Sequence, residues 1–534
     1  MKLKYLLLGA LVGVAFTACT NDDEPANVNA NQKFAGKYMA VKFVMPGSTT
    51  RADSWTNDGG FEEATGDEIS VTGAKFLFFD GETQVADIFD TAELDETFSE
   101  TLNSGSKTWN KGDGSIDKQS NMIIVLKNAV KNPTSIVAIL NTASVPVTRS
   151  TTMTQLLAMN DDYRNDTGAN FVMTNSVYKD GDKVIVGTPV ESKNICATTE
   201  EAAVNPVKIA VEKTVAKVEL SNDSGDTDTD KTTKAGKKIS VEVKGWWLDN
   251  TNPKSFLVKN LESTYTETGS WDWNDTPNFR SYWATSFAPD AYEHGKLSDA
   301  IALEESIYAL ENTDQLNPTQ IVVSAQLSVE GEAEGTTIVQ YLSERYTQKD
   351  FETALYATIS TKYFTRSGEG TSTSPYKYDS VKQDALTFTY KTNTATETVQ
   401  FEGEDLKDYE ALVEVSYSGD PLFTQESGSW VPVDLTTAFT SLSRKVHYWL
   451  GGQTYYFAAI TQNEDIPVTG VVRNHLYKIN IKAIEGLGTP IAETASDNEI
   501  IPVIPVDNES YISAEILILK YKVITMDIDL DATK

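Results

Sequence analysis

Few residues in this sequence combine the type and spacing that chemistry requires. The three histidines, His294, His447 and His475, lie far apart in the chain. No G-x-S-x-G, H-E-x-x-H or Walker-type segment accompanies them. No nucleophile can be given a base and no zinc set can be assembled, so neither an enzyme nor a cofactor is expected. His475 follows Asn474 on an alternating stretch, where a structural hydrogen bond is the expected role. Asp226-x-Asp228-x-Asp230 has the spacing of calcium-binding oxygens but lacks the glycine and closing glutamate of an EF-hand loop. A solvated linker without metal is expected there. Trp246 and Trp247 are neighbours on a strand and so point to opposite faces. They are expected to pack in the core and at a domain contact; the other reading makes one of them a sugar-stacking platform.

The clearest covalent chemistry is at the N-terminus. Lys2 and Lys4 precede an apolar run from Tyr5 to Phe16 that ends in small residues and Cys19, the layout of a secretion signal. The run is too short for a hydrocarbon core, which needs about 20 residues. Phe16-Thr17-Ala18-Cys19 resembles the lipobox of bacterial lipoproteins, with Phe16 where leucine is usual. Residues 1–18 are therefore expected to be removed and Cys19 to be lipidated. Acyl chains gain about 0.8 kcal/mol per buried CH₂, and two or three of them hold firmly. Asp22-Asp23-Glu24 is similar to the acidic export signal that takes such lipoproteins to the cell surface in Bacteroidota. Cys196 is the only other cysteine, so the processed chain is expected to have no internal disulfide and no thiolate metal site.

With 40% hydrophobic and 10% aromatic residues over 534 positions, there is material for two cores, because single domains rarely exceed about 250 residues. A formal charge of −32 opposes nucleic acid, whose phosphates call for Lys and Arg. It also opposes adhesion to an anionic bilayer, and it keeps a secreted subunit from associating early.

Most periodic segments alternate every second residue and are rich in Val, Ile, Thr, Tyr and Phe. Lys238 to Leu248, Gln320 to Val329, Glu397 to Phe401, Gln453 to Thr461 and Leu476 to Ile484 read as strands. Turn-forming clusters such as Asn222 to Lys234 and Ser367 to Ser374 lie between them. Helical periodicity is confined to Thr151 to Met159 and Leu297 to Ser306. The class is all-β with minor helix. The polar stretch from Ser221 to Lys237 has almost no large apolar residue, carries no core and is read as the domain boundary. This gives one β-sandwich domain over 52–220 and another over 221–510. Pro490, Pro502 and Pro505 mark a second linker-like stretch before the hydrophobic tail at 511–534.

Two strands stand out. Near the N-terminus Met39, Val41, Phe43 and Met45 alternate with Tyr38, Ala40, Lys42 and Val44 to give one strongly apolar face, and Pro46-Gly47 ends the run. Arg51 follows, the only arginine before Arg149, so an Arg-specific protease would find one early site. At the other end Ile512, Ala514, Ile516 and Ile518 share one phase and Ile524, Met526, Ile528 and Leu530 another. One long bulged strand or two short ones both fit. Joined together, these features suggest that cleavage after Arg51 frees the first strand and opens a groove, which the tail of another copy fills. Four inward side chains at roughly 1.5–3 kcal/mol each supply on the order of 6–12 kcal/mol before entropy losses. From pattern alone, two ordinary strands within one chain remain the other reading.

Several stretches resemble the Bacteroidota fimbrillins, the subunits of type V pili, and most closely the minor-type (Mfa-like) branch. They are Gly36-Lys37-Tyr38-Met39 through Arg51-Ala52, Val211-Glu212-Lys213-Thr214-Val215-Ala216-Lys217-Val218, Gly245-Trp246-Trp247-Leu248-Asp249-Asn250-Thr251-Asn252 and Leu310-Glu311-Asn312-Thr313. Val472-Arg473-Asn474-His475-Leu476-Tyr477-Lys478-Ile479 and the segment Ile512 to Leu530 complete the set. The resemblance implies two tandem transthyretin-like β-sandwich domains and export to the outer membrane as a lipoprotein. It implies removal of residues 19–51 by an Arg-specific protease cutting between Arg51 and Ala52, and assembly of a stalk from copies of the chain through the C-terminal donor strand. Tip and anchor subunits and the protease are the implied partners. Asp90-Thr91-Ala92 and Asp379-Ser380-Val381 resemble Bacteroidota O-glycosylation sites. The second function considered is a surface lipoprotein that binds glycans through exposed aromatic residues.

Overall fold

Runs of β-branched and aromatic residues become strands because such side chains suit a pleated, packed surface. The computed structural model describes residues 37–44, 68, 71–91, 121–141, 145–164, 170–180, 183–222, 228–261, 284–394, 397–461, 469–491, 511–520 and 524–528. They form an all-β architecture with few helices, as expected. The chain divides into two units: Met1–Val44, Val71–Leu156 and Val186–Ala210 make the first, and Met45–Ser70, Leu157–Ile185 and Val211–Lys534 the second.

The first unit contains β1 (Lys37–Val44), β2 (Ala74–Asp80), β3 (Asn121–Leu126), β4 (Ser135–Leu140) and the start of β5 (Val207–Lys213). β2 and β4 pair antiparallel from Ala74 opposite Leu140 to Phe79 opposite Ser135. Phe76, Leu77, Phe78 and Phe79 are all buried, as is every residue from Ile136 to Leu140. Phe76 to Phe79 and Ile136 to Leu140 are unbroken apolar runs because both faces of their strands are covered there.

In the second unit the chain first lays down β6 (Val215–Asn222), β7 (Asp228–Thr232), β8 (Lys238–Asp249), β9 (Ser306–Leu310) and β10 (Gln320–Val329). It then makes a long excursion through β11 (Ile338–Tyr341), β12 (Glu344–Thr347), β13 (Phe364–Ser367), β14 (Lys377–Ser380), β15 (Leu386–Lys391), β16 (Glu410–Tyr417), β17 (Leu422–Glu426), β18 (Ser429–Pro432) and β19 (Arg444–Trp449). It returns with β20 (Gln453–Ala459), β21 (His475–Glu485), β22 (Tyr511–Lys520) and β23 (Ile524–Ile528). The first and last groups make two five-stranded sheets, β9-β6-β21-β22-β23 and β7-β8-β10-β20 ending in the short Thr489–Pro490 strand. Their facing sides share one core, with Val218 and Leu220 from β6, Trp246 and Leu248 from β8, Ile321 and Val323 from β10, and Tyr477 and Ile479 from β21. This is a β-sandwich. The excursion builds a five-stranded and a four-stranded sheet with separate cores.

One expectation is corrected in this unit. The polar stretch Ser221 to Lys237 does carry core: β7 lies within it, and Thr229 and Thr233 are buried. Thr229 satisfies its hydroxyl by donating to the Ile239 carbonyl at 2.6 Å. Trp247 is buried, in keeping with the expected packing, and is not the sugar-stacking platform of the other reading. It is 1% exposed and packs with Val322, Tyr455 and Ile491 on the face of β8 opposite Trp246. Gly295 closes over that ring, so that a Cβ there would stand 2.1 Å from Trp247 Cδ1.

Helix is sparse. Of the expected Thr151 to Met159 segment, α1 (Met153–Ala158) forms. Leu297 to Ser306 holds only a single 3-10 turn, Leu297–Asp299, because Ile301 is drawn into extended pairing with Trp246 through backbone bonds of 2.9 and 3.0 Å. The longest helix among the described residues, α2 (Gln348–Ser360), was not expected. Thr347 caps it, accepting from the Asp350 amide, and Phe351, Leu355 and Ile359 face its core at a spacing of four. Glu397 to Phe401 supplies only the two-residue strand Gln400–Phe401, which turns back at once through Glu402 and Gly403 with positive φ.

Candidate functional site

β1 is an internal strand. On one side it runs antiparallel to β3, from Lys37 opposite Leu126 to Lys42 opposite Asn121. On the other it runs parallel to β5, from Val41 opposite Val207 to Val44 opposite Ala210. At its start Tyr38 and Cys196 exchange two backbone hydrogen bonds of 2.9 Å. Met39, Ala40 and Val41 are all 0% exposed, so the expectation of a single apolar face is corrected. The Ala40 side is covered by Cys196 and Ala202, with Tyr38 and Ala203 against them. Taking β1 out would unpair backbone groups along β3 and β5 together, leaving a slot with a ladder on each wall. Val41 and Met39 stand in this strand as expected. Met45 lies outside the described residues, as do Cys19, Arg51 and Ala52.

The tail folds as two strands rather than one bulged strand. β22 runs antiparallel to β21, placing Ile518 opposite Tyr477, Ile516 opposite Ile479, Ala514 opposite Ile481 and Ile512 opposite Ile484, with a bulge between Ile481 and Ala483. β23 then pairs back on β22, with Ile524 opposite Ile518, Met526 opposite Ile516 and Ile528 opposite Ala514. The β21 residues at these positions are all buried. The two apolar phases read from sequence thus fall in register with the core-facing phase of β21. Leu530 lies outside the described residues.

At the head of β21, charged and amide side chains in the interior of the second unit join four of the sequence stretches singled out above. Arg473 and Glu311 are both 0% exposed and pair at 3.3 Å. Arg473 also donates to the carbonyls of Leu257 at 3.1 Å and Phe256 at 2.6 Å. Lys259 pairs with Glu212 at 3.2 Å, again fully buried. Burial pushes the Glu212 carboxyl up, against the pull of Lys259 and Arg473. Asn474, with φ 60, accepts the Lys213 amide at 3.2 Å and donates its own amide to Val215 at 2.8 Å. Asn312 donates to the carbonyls of Asn250 at 2.9 Å and Asn317 at 3.0 Å, and Asn252 donates to that of Glu311 at 3.3 Å. Buried charges are tolerated when paired and hydrogen-bonded, and breaking such a pair is costly. The network therefore fixes where β21 starts and so fixes the register it offers to β22. Arg473 and Glu311 could have been found in the sequence as charges inside otherwise apolar alternation.

The histidines are structural or peripheral. His475 is 2% exposed, and its Nδ1 lies 2.7 Å from the Arg473 carbonyl. His294 Nδ1 lies 3.2 Å from Asp249 Oδ1, and burial pushes the Asp249 carboxyl up while His294 opposes it. Among the described residues no group of three or more His, Cys, Asp or Glu is placed to hold a metal ion. No described helix is long and apolar enough to cross a membrane. Thr91 is buried, accepting the Ala74 amide at 2.8 Å, whereas Ser380 is exposed on β14.

Residues 447–527, from the end of β19 through β20, β21 and β22 into β23, match the family model described as "Major fimbrial subunit protein type IV, Fimbrillin, C-terminal". This stretch is similar to the C-terminal segment of fimbrillins. The resemblance to fimbrillins is borne out there, and the minor-type branch is not distinguished from others. No curated protein matches the chain. Among solved structures, a fimbrilin from Porphyromonas gingivalis W83 is 11% identical over 92% of this chain and 98% of its own, with TM-score 0.33. The tip fimbrial protein Mfa3 from Porphyromonas gingivalis is 11% identical over 89% of this chain and 98% of its own, with TM-score 0.27. A Parabacteroides distasonis ATCC 8503 protein assigned to cell adhesion is 12% identical over 90% of this chain and 96% of its own, with TM-score 0.39. The matched residues include both β21 and most of the tail that pairs with it.

Proposed function

We propose that the chain is a structural subunit of a cell-surface fimbria, built into the stalk by exchange of strands between copies. In this reading it is exported as a lipoprotein acylated on Cys19 and held at the outer membrane. An Arg-specific protease then cuts between Arg51 and Ala52, and the mature subunit starts at Ala52. β1 lies upstream of that cut and leaves with the lipidated segment. The slot between β3 and β5 is filled by the Ile512 to Leu530 tail of a neighbour, and tip and anchor subunits end the filament.

What supports the reading most is the position of β1: a strand contributed by the segment ahead of Arg51 is paired along both edges and buried on both faces. A strand with backbone partners on two sides leaves a vacancy that only another strand can satisfy. The fimbrillin match across the tail supports the donor role. With the tail paired on its own β21, the uncut subunit offers neither slot nor free donor, which delays assembly until proteolysis.

The test is treatment of the purified precursor with an Arg-specific protease. A ladder of oligomers whose subunits begin at Ala52 is expected. Arg51→Ala abolishes the ladder, and a chain ending at Glu509 is cut but stays monomeric. An unchanged monomer that is instead retained on polysaccharide would favour the surface glycan-binding lipoprotein, although burial of Trp246 and Trp247 has removed the aromatic platform first considered for it.

A further inference from the structure

The small sheet β14-β13-β17-β18 has two unlike faces. Register puts Leu422 opposite Thr365, and Leu422 packs into the core with Val381, Val415 and Phe439. The other face carries Phe364 opposite Phe423, Arg366 opposite Tyr378, and Gln425 opposite Trp430. Here Tyr378 and Trp430 stack with centroids 4.1 Å apart and planes 6° apart. Phe364 meets Trp430 edge-on at 4.9 Å, and Phe423 meets Tyr378 edge-on at 5.5 Å. Phe364, Tyr378 and Trp430 remain half-buried, and Tyr376 is 46% exposed.

Arg366 lies on this aromatic face. Its guanidinium carbon is 4.3 Å from the Tyr376 ring centre and 4.4 Å from that of Phe423. The loop between β13 and β14 is shaped to hold it there: Gly370 has φ +73, and a Cβ on it would stand 2.6 Å from the Tyr376 ring. Of the arginines among the described residues, Arg366 is the one with ring contacts but neither a hydrogen bond nor an ion pair. Arg149, Arg164, Arg444 and Arg473 each have such polar partners, and Arg345 has an interaction of its own. In a chain of formal charge −32, an exposed cation without a carboxylate is a mismatch that a ligand can resolve.

We propose that this face binds a saccharide carrying a single carboxylate. A guanidinium held over aromatic rings keeps its N–H fork free for a carboxylate, which it grips bidentately, and little rotamer freedom is left to lose. The half-exposed Trp430 and Tyr378 rings offer an apolar surface to the C–H face of a sugar ring. Gln425 and Ser380, exposed on the same face, supply polar groups for its hydroxyls. One unpaired arginine matches one carboxylate, and the strongly negative chain repels a polyanion. The site belongs to the monomer, so it stands apart from the strand-exchange reading.

Calorimetric titration of the full chain with 3′-sialyllactose tests this. Saturable binding is expected, with lactose at least about tenfold weaker. Arg366→Gln and Trp430→Ala each weaken the acidic sugar by about tenfold or more, and Arg366→Lys by less, because an ammonium keeps the charge but not the fork. Unchanged urea midpoints for the variants show that the fold is retained. Absence of saturable binding, equal binding of lactose, or no effect of Arg366→Gln would each overturn the proposal. So would a tetraglutamate peptide that binds as tightly as the sugar, since that would make the face an acidic-peptide site.

Discussion

The Arg473 guanidinium lies 3.3 Å from the Glu311 carboxylate with both side chains shut off from solvent. Arg473→Met leaves Glu311 as an uncompensated buried charge, and Glu311→Gln does the same to Arg473. Each is expected to cost about 3–5 kcal/mol, read as a fall in the urea midpoint. Glu311→Leu combined with Arg473→Met should recover part of the loss, because no charge is stranded. Single variants within about 0.5 kcal/mol of the parent, the usual range for surface changes, would show that the pair does not set the start of β21.

Lys213 is 4% exposed, and burial lowers its pKa from 10.5 to about 7, with Glu68 pulling the other way. Between about 7 and 10.5 the unfolded chain therefore binds more protons at this position than the folded one. Stability consequently rises with pH across that window and is lowest, for this group, below about 7. Denaturant midpoints measured from pH 6.5 to 10 should climb, and Lys213→Met should flatten the climb. An identical slope in the variant would exclude Lys213 as its source.

Gly295→Ala forces a methyl group against Trp247 Cδ1 and the Leu248 carbonyl. Overpacking of this kind costs about 1–3 kcal/mol. Thermal unfolding should show the loss, and the variant's tryptophan emission should shift to longer wavelength as water reaches the ring.

Ile479 stands directly opposite Ile516 in the β21–β22 pairing, where cross-strand Cβ atoms come within about 5.5 Å. Joint replacement, Ile479→Cys with Ile516→Cys, should allow an oxidised cross-link that ties the tail to its own subunit. After proteolysis the oxidised variant should stay monomeric, and reduction should restore the ladder. Oligomers that form equally well under oxidising conditions would exclude release of the tail from β21 as a required step.

Much of the architecture was legible from periodicity. Gln320–Val329 has the expected bounds, and Lys238–Asp249 and His475–Glu485 differ by a residue or so at their ends, because an alternating run longer than about eight residues has few competing structures. The apolar phases of the tail also followed directly from residue order. Short or weakly patterned segments were not legible. Leu297 to Ser306 has helical spacing yet gives up its middle to pair with Trp246, since a backbone bond to a buried strand outweighs a propensity of tenths of a kcal/mol per residue.

What the chain order determined by itself is local: strand periods, the apolar phases of the first strand and the tail, and the place of Arg51 just beyond that strand. Only the tertiary structure decided that β1 is paired on both sides, that Trp247 is covered, and that Arg473 and Glu311, 162 residues apart, neutralise each other in the interior. The reason is physical. Periodicity specifies which way a side chain points, whereas burial and charge pairing depend on what the rest of the chain brings to the other side.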